Sequence, residues 1–160
     1  MKKKAQVIPP DAYPQMVSRS DAIKMARALR APETAARGAR VIQDASQKLR
    51  HGVHDYVREL EAATGNRQVI FEKAHEIRGF AETAGLRATG RIAGGLCRYF
   101  DEMEKLSAPP DNAVIALHVS AIVRAAHAKD EASRAGDAVV KELAALVAHK
   151  LADTKAAIVG

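Results

Sequence analysis

One histidine in this chain has neighbours with which it could do chemistry. His75 lies in the segment FEKAHEIRGFAETAGL, residues 71–86, and Arg78 and Gly79 follow it by three and four positions. On a helix these three residues share one face. A glycine inside a helix costs about 1 kcal/mol relative to alanine, so Gly79 needs a reason. The reason we favour is that another molecule must come very close to His75.

The elements that position this histidine are predicted to be helices. Apolar residues recur at helical spacing, and no stretch alternates with the period of two that is typical of a strand. The pattern predicts an all-α protein, an up-down antiparallel four-helix bundle with extra N- and C-terminal helices. We expect a flexible basic tail over 1–19 and a single helical domain over 20–160. The first three predicted helices cover 21–30 with Ser20 as cap, 32–62, and 67–84 with Asn66 as cap. A looser stretch over 86–90 leads into the fourth helix. The fifth covers 112–128 with Asp111 as cap, and the last begins at about 137.

The helix that carries His75 has a regular apolar stripe, which comprises Ile70, Ala74, Ile77, Ala81 and Ala84. His75, Arg78, Gly79 and Glu82 fall outside this stripe. The spacing therefore predicts that His75 lies on the outward face, beside the core. Gly85 stands where a left-handed cap residue would end the segment.

Composition and charge narrow the class of protein. The net charge is +6, and it resides in residues 1–50, where eleven Lys and Arg against four Asp and Glu give +7. Cys97 is the only cysteine, so no intramolecular disulfide is possible. No segment has the roughly 18 uninterrupted apolar residues of a membrane span. We expect a cytoplasmic protein that does not enter a membrane.

The segment AHEIRGFAETAGL resembles the phospho-acceptor motif of histidine-containing phosphotransfer (HPt) domains. These four-helix bundles relay phosphoryl groups between aspartates of receiver domains. Their motif is a histidine, two residues, Lys or Arg, glycine, a small polar residue, alanine, three residues and a glycine. The matching positions are His75, Arg78, Gly79, Ala81 and Gly85, whereas Phe80 replaces the small polar residue. The resemblance covers about residues 34–128.

The resemblance implies a role for each residue. His75 would be the phospho-acceptor, Arg78 the partner of the phosphoryl oxygens and Gly79 the clearance for the receiver. Phe71, Phe80 and Glu82 would dock the partner. Neutral imidazole is a competent nucleophile toward an activated phosphoryl group, and a guanidinium fork suits phosphoryl oxygens.

The implied function is that of a stoichiometric phosphoryl carrier in a two-component phosphorelay, not an enzyme with an ATP site. Its partner would be a receiver domain of a hybrid histidine kinase or response regulator. It would need no cofactor of its own, because Mg²⁺ is expected on the receiver. We expect a monomer, although a homodimer through Phe71 and Phe80 stays open.

The tetrapeptide His75-Glu76-Ile77-Arg78 also looks like the H-box of sensor histidine kinases. In those kinases a small polar residue and a proline normally follow the arginine, whereas Gly79 and Phe80 follow it here. The chain also lacks a glycine-rich ATP lid. These departures argue against autophosphorylation by this chain alone.

Metal chemistry finds little support in the sequence. Glu72 and His75 form a Glu-x-x-His pair, but carboxylate-bridged di-metal sites need a second pair and two further inward glutamates. His51 and His54 share a helix face, and solvated surface histidines explain them better than a metal does. We therefore predict no metal site.

Two alternatives to phosphotransfer stay open. The first is a basic helical protein that binds nucleic acid through residues 1–50, although no zinc motif or helix-turn-helix pattern is visible there. The second is an adaptor that docks on signalling proteins without being phosphorylated.

Overall fold

A computed structural model of the protein describes residues 17–128 and 134–159. Throughout these two ranges the regular structure is helical and no strand occurs, which confirms the all-α prediction. The helices are α1 (Arg19–Arg30), α2 (Pro32–Ala62), α3 (Arg67–Phe80), α4 (Arg87–Lys105), α5 (Asn112–Ala126) and α6 (Arg134–Val159). Residues 1–16 of the predicted tail lie outside the described residues.

The chain divides into two compact units, residues 1–43 and 44–160. In the first unit α1 begins two residues earlier than predicted, because Ser18 and not Ser20 is its cap. The Ser18 hydroxyl accepts a hydrogen bond from the backbone N–H of Asp21 at 3.1 Å. None of the residues of α1 is buried. Pro32 occupies the first turn of α2, where its missing N–H costs nothing.

The second unit contains the hydrophobic core. Helices α2 to α5 supply its fully buried side chains, and partly buried residues of α6 pack against them. The core includes Val53, Val57, Leu60, Ile70, Ala74, Ile77, Leu86, Leu96, Tyr99, Val114 and Ile122. The apolar side chains of α2 join this core only from Leu49 onward, since Ile42 is 72% exposed.

Helix α4 lies at the centre of this unit, where it packs against α3, α5 and α6. It is buried on most of its circumference because small residues bring its neighbours close. A Cβ added to Gly90 would lie 3.1 Å from the Cβ of Ala81. The prediction of a looser stretch over residues 86–90 was wrong, since α4 already begins at Arg87. The Tyr99 hydroxyl accepts the backbone N–H of Asp111 at 2.8 Å and ties α4 to the start of α5.

The end of α3 sets the direction of the chain into α4. The helix ends at Phe80, four residues before the predicted end, and a turn over 81–85 follows. Gly85 has φ +77°, the left-handed conformation predicted for it. The backbone N–H of Leu86 donates to the carbonyl of Ala81 at 2.7 Å, and that of Gly85 donates to Glu82 at 3.0 Å. This pair of bonds is a Schellman motif, which satisfies carbonyls that the helix end would leave free.

Candidate functional site

Helix α3 places His75 on an exposed face. The Asn66 side chain caps the helix by accepting the backbone N–H of Val69 at 3.2 Å, as predicted. Ala74 and Ile77 on the opposite face are fully buried. With these two fixed in the core, the helical repeat turns His75 toward solvent, which agrees with its predicted place outside the apolar stripe.

Arg78 lies directly beside the imidazole of His75. Its Nη2 nitrogen is 3.3 Å from the Nδ1 nitrogen of His75. A guanidinium has only donors, so in this arrangement Nδ1 accepts the bond and the neutral ring carries its hydrogen on Nε2. The pair therefore combines a potential nucleophile with a permanent positive charge one helical turn away.

Gly79 has open space where its side chain would be. A Cβ added there would have no atom of the described residues within 4 Å, so none of these neighbours requires a glycine. Gly94 on α4 differs, because its Cβ would lie 3.3 Å from Cδ of Arg78. Gly94 thus lets the Arg78 side chain rest on α4, whereas the glycine at position 79 has no internal packing role.

Two phenylalanines flank this face, in different environments. Phe71 is half-buried, with its ring edge-on to Phe100 at a centroid distance of 5.7 Å and 6.2 Å from the ring of His75. Phe80 is 41% exposed and stacks on Tyr56 of α2 at 6.4 Å. Phe80 therefore offers exposed apolar surface at the end of α3, and Phe71 packs against the imidazole of His75.

A charged contact that the sequence analysis missed joins α2 to α3. Lys73 forms an ion pair with Glu59, and its Nζ lies 5.3 Å from the ring centroid of Tyr56. The hydrogen bond with Glu59 raises the pKa of Lys73. Lys73 and Tyr56 together hold α2 against the helix that carries His75. The cross-helix pairing has no local sequence signal.

Glu82 lies in a groove rich in arginine, which the sequence analysis also missed. The groove has a volume of about 470 Å³ and is lined by Arg78, Glu82, Arg87, Gly90, Arg91, Gly94, Arg98 and Val140. Residues 87, 91 and 98 recur at spacings of four and seven, which put them on one helix face. That spacing is the signal from which the groove could have been predicted. Glu82, proposed from the sequence as a docking residue, is exposed and lines this groove together with Arg78.

Two other histidines of the second unit, His54 and His118, are at least partly buried, unlike His75. His118 is buried, and its Nδ1 donates to the carbonyl of Val114 at 2.8 Å. Burial lowers the pKa of His118. His54 stacks on His127 at a centroid distance of 5.2 Å, and its pKa is lowered by burial and then by the neighbouring His127. His54 is therefore not the solvated surface residue that the sequence predicted, whereas His51 is exposed.

Other nucleophilic or metal-binding groups are scarce where the structure can be described. The thiol of Cys97 is buried, and burial raises its pKa, so it stays protonated and unreactive. Within residues 17–128 and 134–159, no three or more His, Cys, Asp or Glu side chains are grouped so as to hold a metal ion. None of the helices described is long and apolar enough to cross a membrane.

No protein-family model matches the chain, and no curated protein or solved structure matches it either. The arguments about function therefore rest on the residues and geometry around His75.

Proposed function

We propose that this protein is a histidine phosphotransfer protein, a stoichiometric carrier that relays phosphoryl groups to or from receiver-domain aspartates through His75. One observation carries the proposal. An exposed imidazole lies 3.3 Å from a guanidinium, beside a glycine whose missing side chain faces open space. This combination suits a nucleophile that must enter the active site of another protein.

The proposed reaction needs little from the carrier beyond an accessible lone pair. A ring nitrogen of His75 donates its lone pair to the phosphorus of an aspartyl phosphate. The P–O bond to the donor aspartate breaks, and the carboxylate leaves with the electrons of that bond. The phosphorylated ring keeps its hydrogen and carries one positive charge beside the dianionic phosphoryl group. The total charge of phosphohistidine and carboxylate therefore equals that of neutral histidine and aspartyl phosphate. The reverse steps pass the group to a second receiver.

In this scheme the Arg78 side chain takes two positions, one at the ring of His75 and one at the phosphoryl group. While its Nη2 donates to Nδ1, the hydrogen of the neutral ring is held on Nε2, which then has no free lone pair. When Arg78 turns to the incoming phosphoryl oxygens, Nδ1 is free to take the hydrogen and Nε2 to attack. The guanidinium of Arg78 would thus leave the imidazole when the phosphoryl group arrives and bind the phosphoryl oxygens instead.

The surroundings of His75 support a docking surface for a folded partner. Gly79 removes bulk one turn from the imidazole, and the exposed ring of Phe80, the last residue of α3, offers an apolar contact to a partner. Mg²⁺ and most of the stabilisation of the transition state would come from the receiver. We place this exchange in the cytoplasm, and we propose that the carrier acts without a nucleotide site of its own.

The proposed frame is a four-helix bundle. The part of α2 from Asp44 onward, α3, α4 and α5 supply the fully buried core, and α6 packs on it as an additional helix. Core residues of α3 on one side and exposed residues on the other keep the acceptor at the surface of a rigid body. Such a body can present His75 to two different receivers in turn.

Transfer of a radioactive phosphoryl group from a phosphorylated receiver tests the proposal. Wild-type protein should take up the label, lose it in acid and keep it in base, as expected of a P–N bond. His75→Gln should take up none. The matched control is His51→Gln, another exposed histidine on a helix, which should accept label like the wild type. Equal labelling of His75→Gln, or no labelling of the wild type across a panel of receivers, contradicts the proposal.

A further inference from the structure

The groove beside the candidate site concentrates positive charge in a concave surface. Arg78 of α3 and Arg87, Arg91 and Arg98 of α4 line it, and Val140 of α6 closes one side. Its volume of about 470 Å³ falls within the range of roughly 300–1,000 Å³ that is typical of small-molecule sites. The groove is thus the right size for a compact ligand.

The protein's own carboxylates leave much of this charge unbalanced. Arg91 forms an ion pair with Asp137 of α6. For Arg78, Arg87 and Arg98, no carboxylate of the described residues lies within ion-pair distance. Glu82 is the one acidic residue in the lining. Guanidinium groups that line one groove repel one another, and a bound anion would offset that repulsion.

The lining also indicates the chemistry of the anion. Guanidinium forks bind phosphate oxygens through paired charge-assisted hydrogen bonds. None of the residues that line the groove is aromatic, so a nucleobase would find no ring on which to stack. Several guanidinium groups from two helices favour a ligand with more than one phosphate over a single phosphate group.

We infer that this groove, lined by Arg78, Arg87, Arg91 and Arg98, binds an inorganic oligophosphate such as pyrophosphate or tripolyphosphate. The inference does not depend on the proposed phosphotransfer, because Arg87 and Arg98 have no part in that reaction. Gly94 contributes by letting the Arg78 side chain lie across α4 toward the groove. A ligand there would compete with His75 for the Arg78 guanidinium.

Isothermal titration of the full chain with tripolyphosphate tests the inference. The wild type should bind one tripolyphosphate, and orthophosphate about tenfold or more weakly, because fewer charge-assisted bonds form. Arg87→Gln/Arg98→Gln should weaken tripolyphosphate binding by about tenfold or more for the same reason. The charge-matched control, Arg58→Gln/Arg124→Gln, removes two arginines that do not line the groove and should bind like the wild type.

Three results would overturn the inference. The first is that Arg87→Gln/Arg98→Gln binds tripolyphosphate as tightly as the wild type. The second is that the control pair loses as much affinity as this double variant. The third is that ATP binds more tightly than tripolyphosphate and that its binding requires Arg87 and Arg98. The single variant Arg87→Gln, at an exposed position, gives the same readout if the double variant fails to fold. Labelling of His75 by a receiver is measured separately, so either proposal can fail while the other stands.

Discussion

The Nη2 nitrogen of Arg78 lies 3.3 Å from the Nδ1 nitrogen of His75, one turn back along α3. Because the guanidinium can only donate, this contact fixes which ring nitrogen carries the hydrogen. The same arginine rests on Gly94 of α4 and lines the arginine groove. Arg78 therefore connects the candidate nucleophile to the helix at the centre of the core.

Removal of the guanidinium should slow phosphoryl transfer without unfolding the protein. Arg78→Gln loses a charge-assisted hydrogen bond to the phosphoryl group, worth about 1.5–3 kcal/mol, so transfer should fall about 10- to 100-fold. Arg78→Lys keeps the charge but not the two-pronged guanidinium, so its transfer rate should lie between those of Arg78→Gln and the wild type. Rapid-quench measurement of label transfer from a receiver gives the rates. An unchanged rate in Arg78→Gln would show that the arginine has no role in the transfer.

Gly79 should be replaceable for folding but not for function. Since no atom lies within 4 Å of an added Cβ, Gly79→Ala should raise the free energy of unfolding by up to about 1 kcal/mol. Gly79→Gln should keep the helix content and block transfer by excluding the receiver. The control is Gly52→Gln on α2, where the space is equally open and transfer should continue. Denaturant unfolding and label transfer measure the two effects, and normal transfer by Gly79→Gln would refute the clearance argument.

The helices were predictable where local chemistry determines them. The bounds of α2, the caps Asn66 and Asp111 and the left-handed Gly85 follow from proline, side-chain acceptors and glycine, each of which acts within a few residues. The exposure of His75 was predictable because the buried face of α3 has a regular repeat. Each of these features depends on the chain near it.

Other features depend on contacts between distant segments. The start of α4 was predicted too late because a glycine such as Gly90 usually disfavours a helix. In the structure the small size of Gly90 allows Ala81 of the preceding turn to approach α4. The burial of His118 in α5 depends on α4, since a Cβ added to Gly95 of α4 would lie 3.6 Å from its Nε2. The arginine groove was predictable only in part. The spacing of Arg87, Arg91 and Arg98 puts them on one face of α4. No local pattern specifies that Arg78 of α3 lies beside them.

The stability of the protein should fall as the pH drops below about 6.5. The pKa values of His118 and His54 are lowered in the folded protein from an ordinary 6.5, chiefly by burial. The unfolded chain therefore binds protons first, so the stability present above pH 6.5 is lost as the pH falls toward the lowered pKa values. Urea unfolding at pH 7.5 and 5.0 measures the difference.

A substitution at the buried histidine should reduce this pH dependence. His118→Gln keeps a side-chain donor for the carbonyl of Val114 but cannot be protonated, so its unfolding free energy should change less between the two pH values. His149→Gln is the control, because its partner Asp153 and its ring are both exposed. An equal pH dependence in His118→Gln and the wild type would mean that other groups are responsible.

Deletion of residues 1–43 should leave the second unit folded and able to accept a phosphoryl group. Every core residue of the described chain lies at Val53 or beyond, and α1 contributes no buried side chain. The melting temperature of the 44–160 fragment should therefore stay within a few degrees of that of the full chain, since about 1 kcal/mol corresponds to only a few degrees in a domain of this size. The deletion also removes nine basic residues. Six of them lie in the described part of the chain and are exposed: Arg19, Lys24, Arg27, Arg30, Arg37 and Arg40. If the protein instead acts by binding nucleic acid through this region, the full chain should bind with steep salt dependence and the fragment should not bind. If the fragment transfers phosphoryl groups and the full chain shows no salt-dependent binding of nucleic acid, the result favours phosphotransfer through His75.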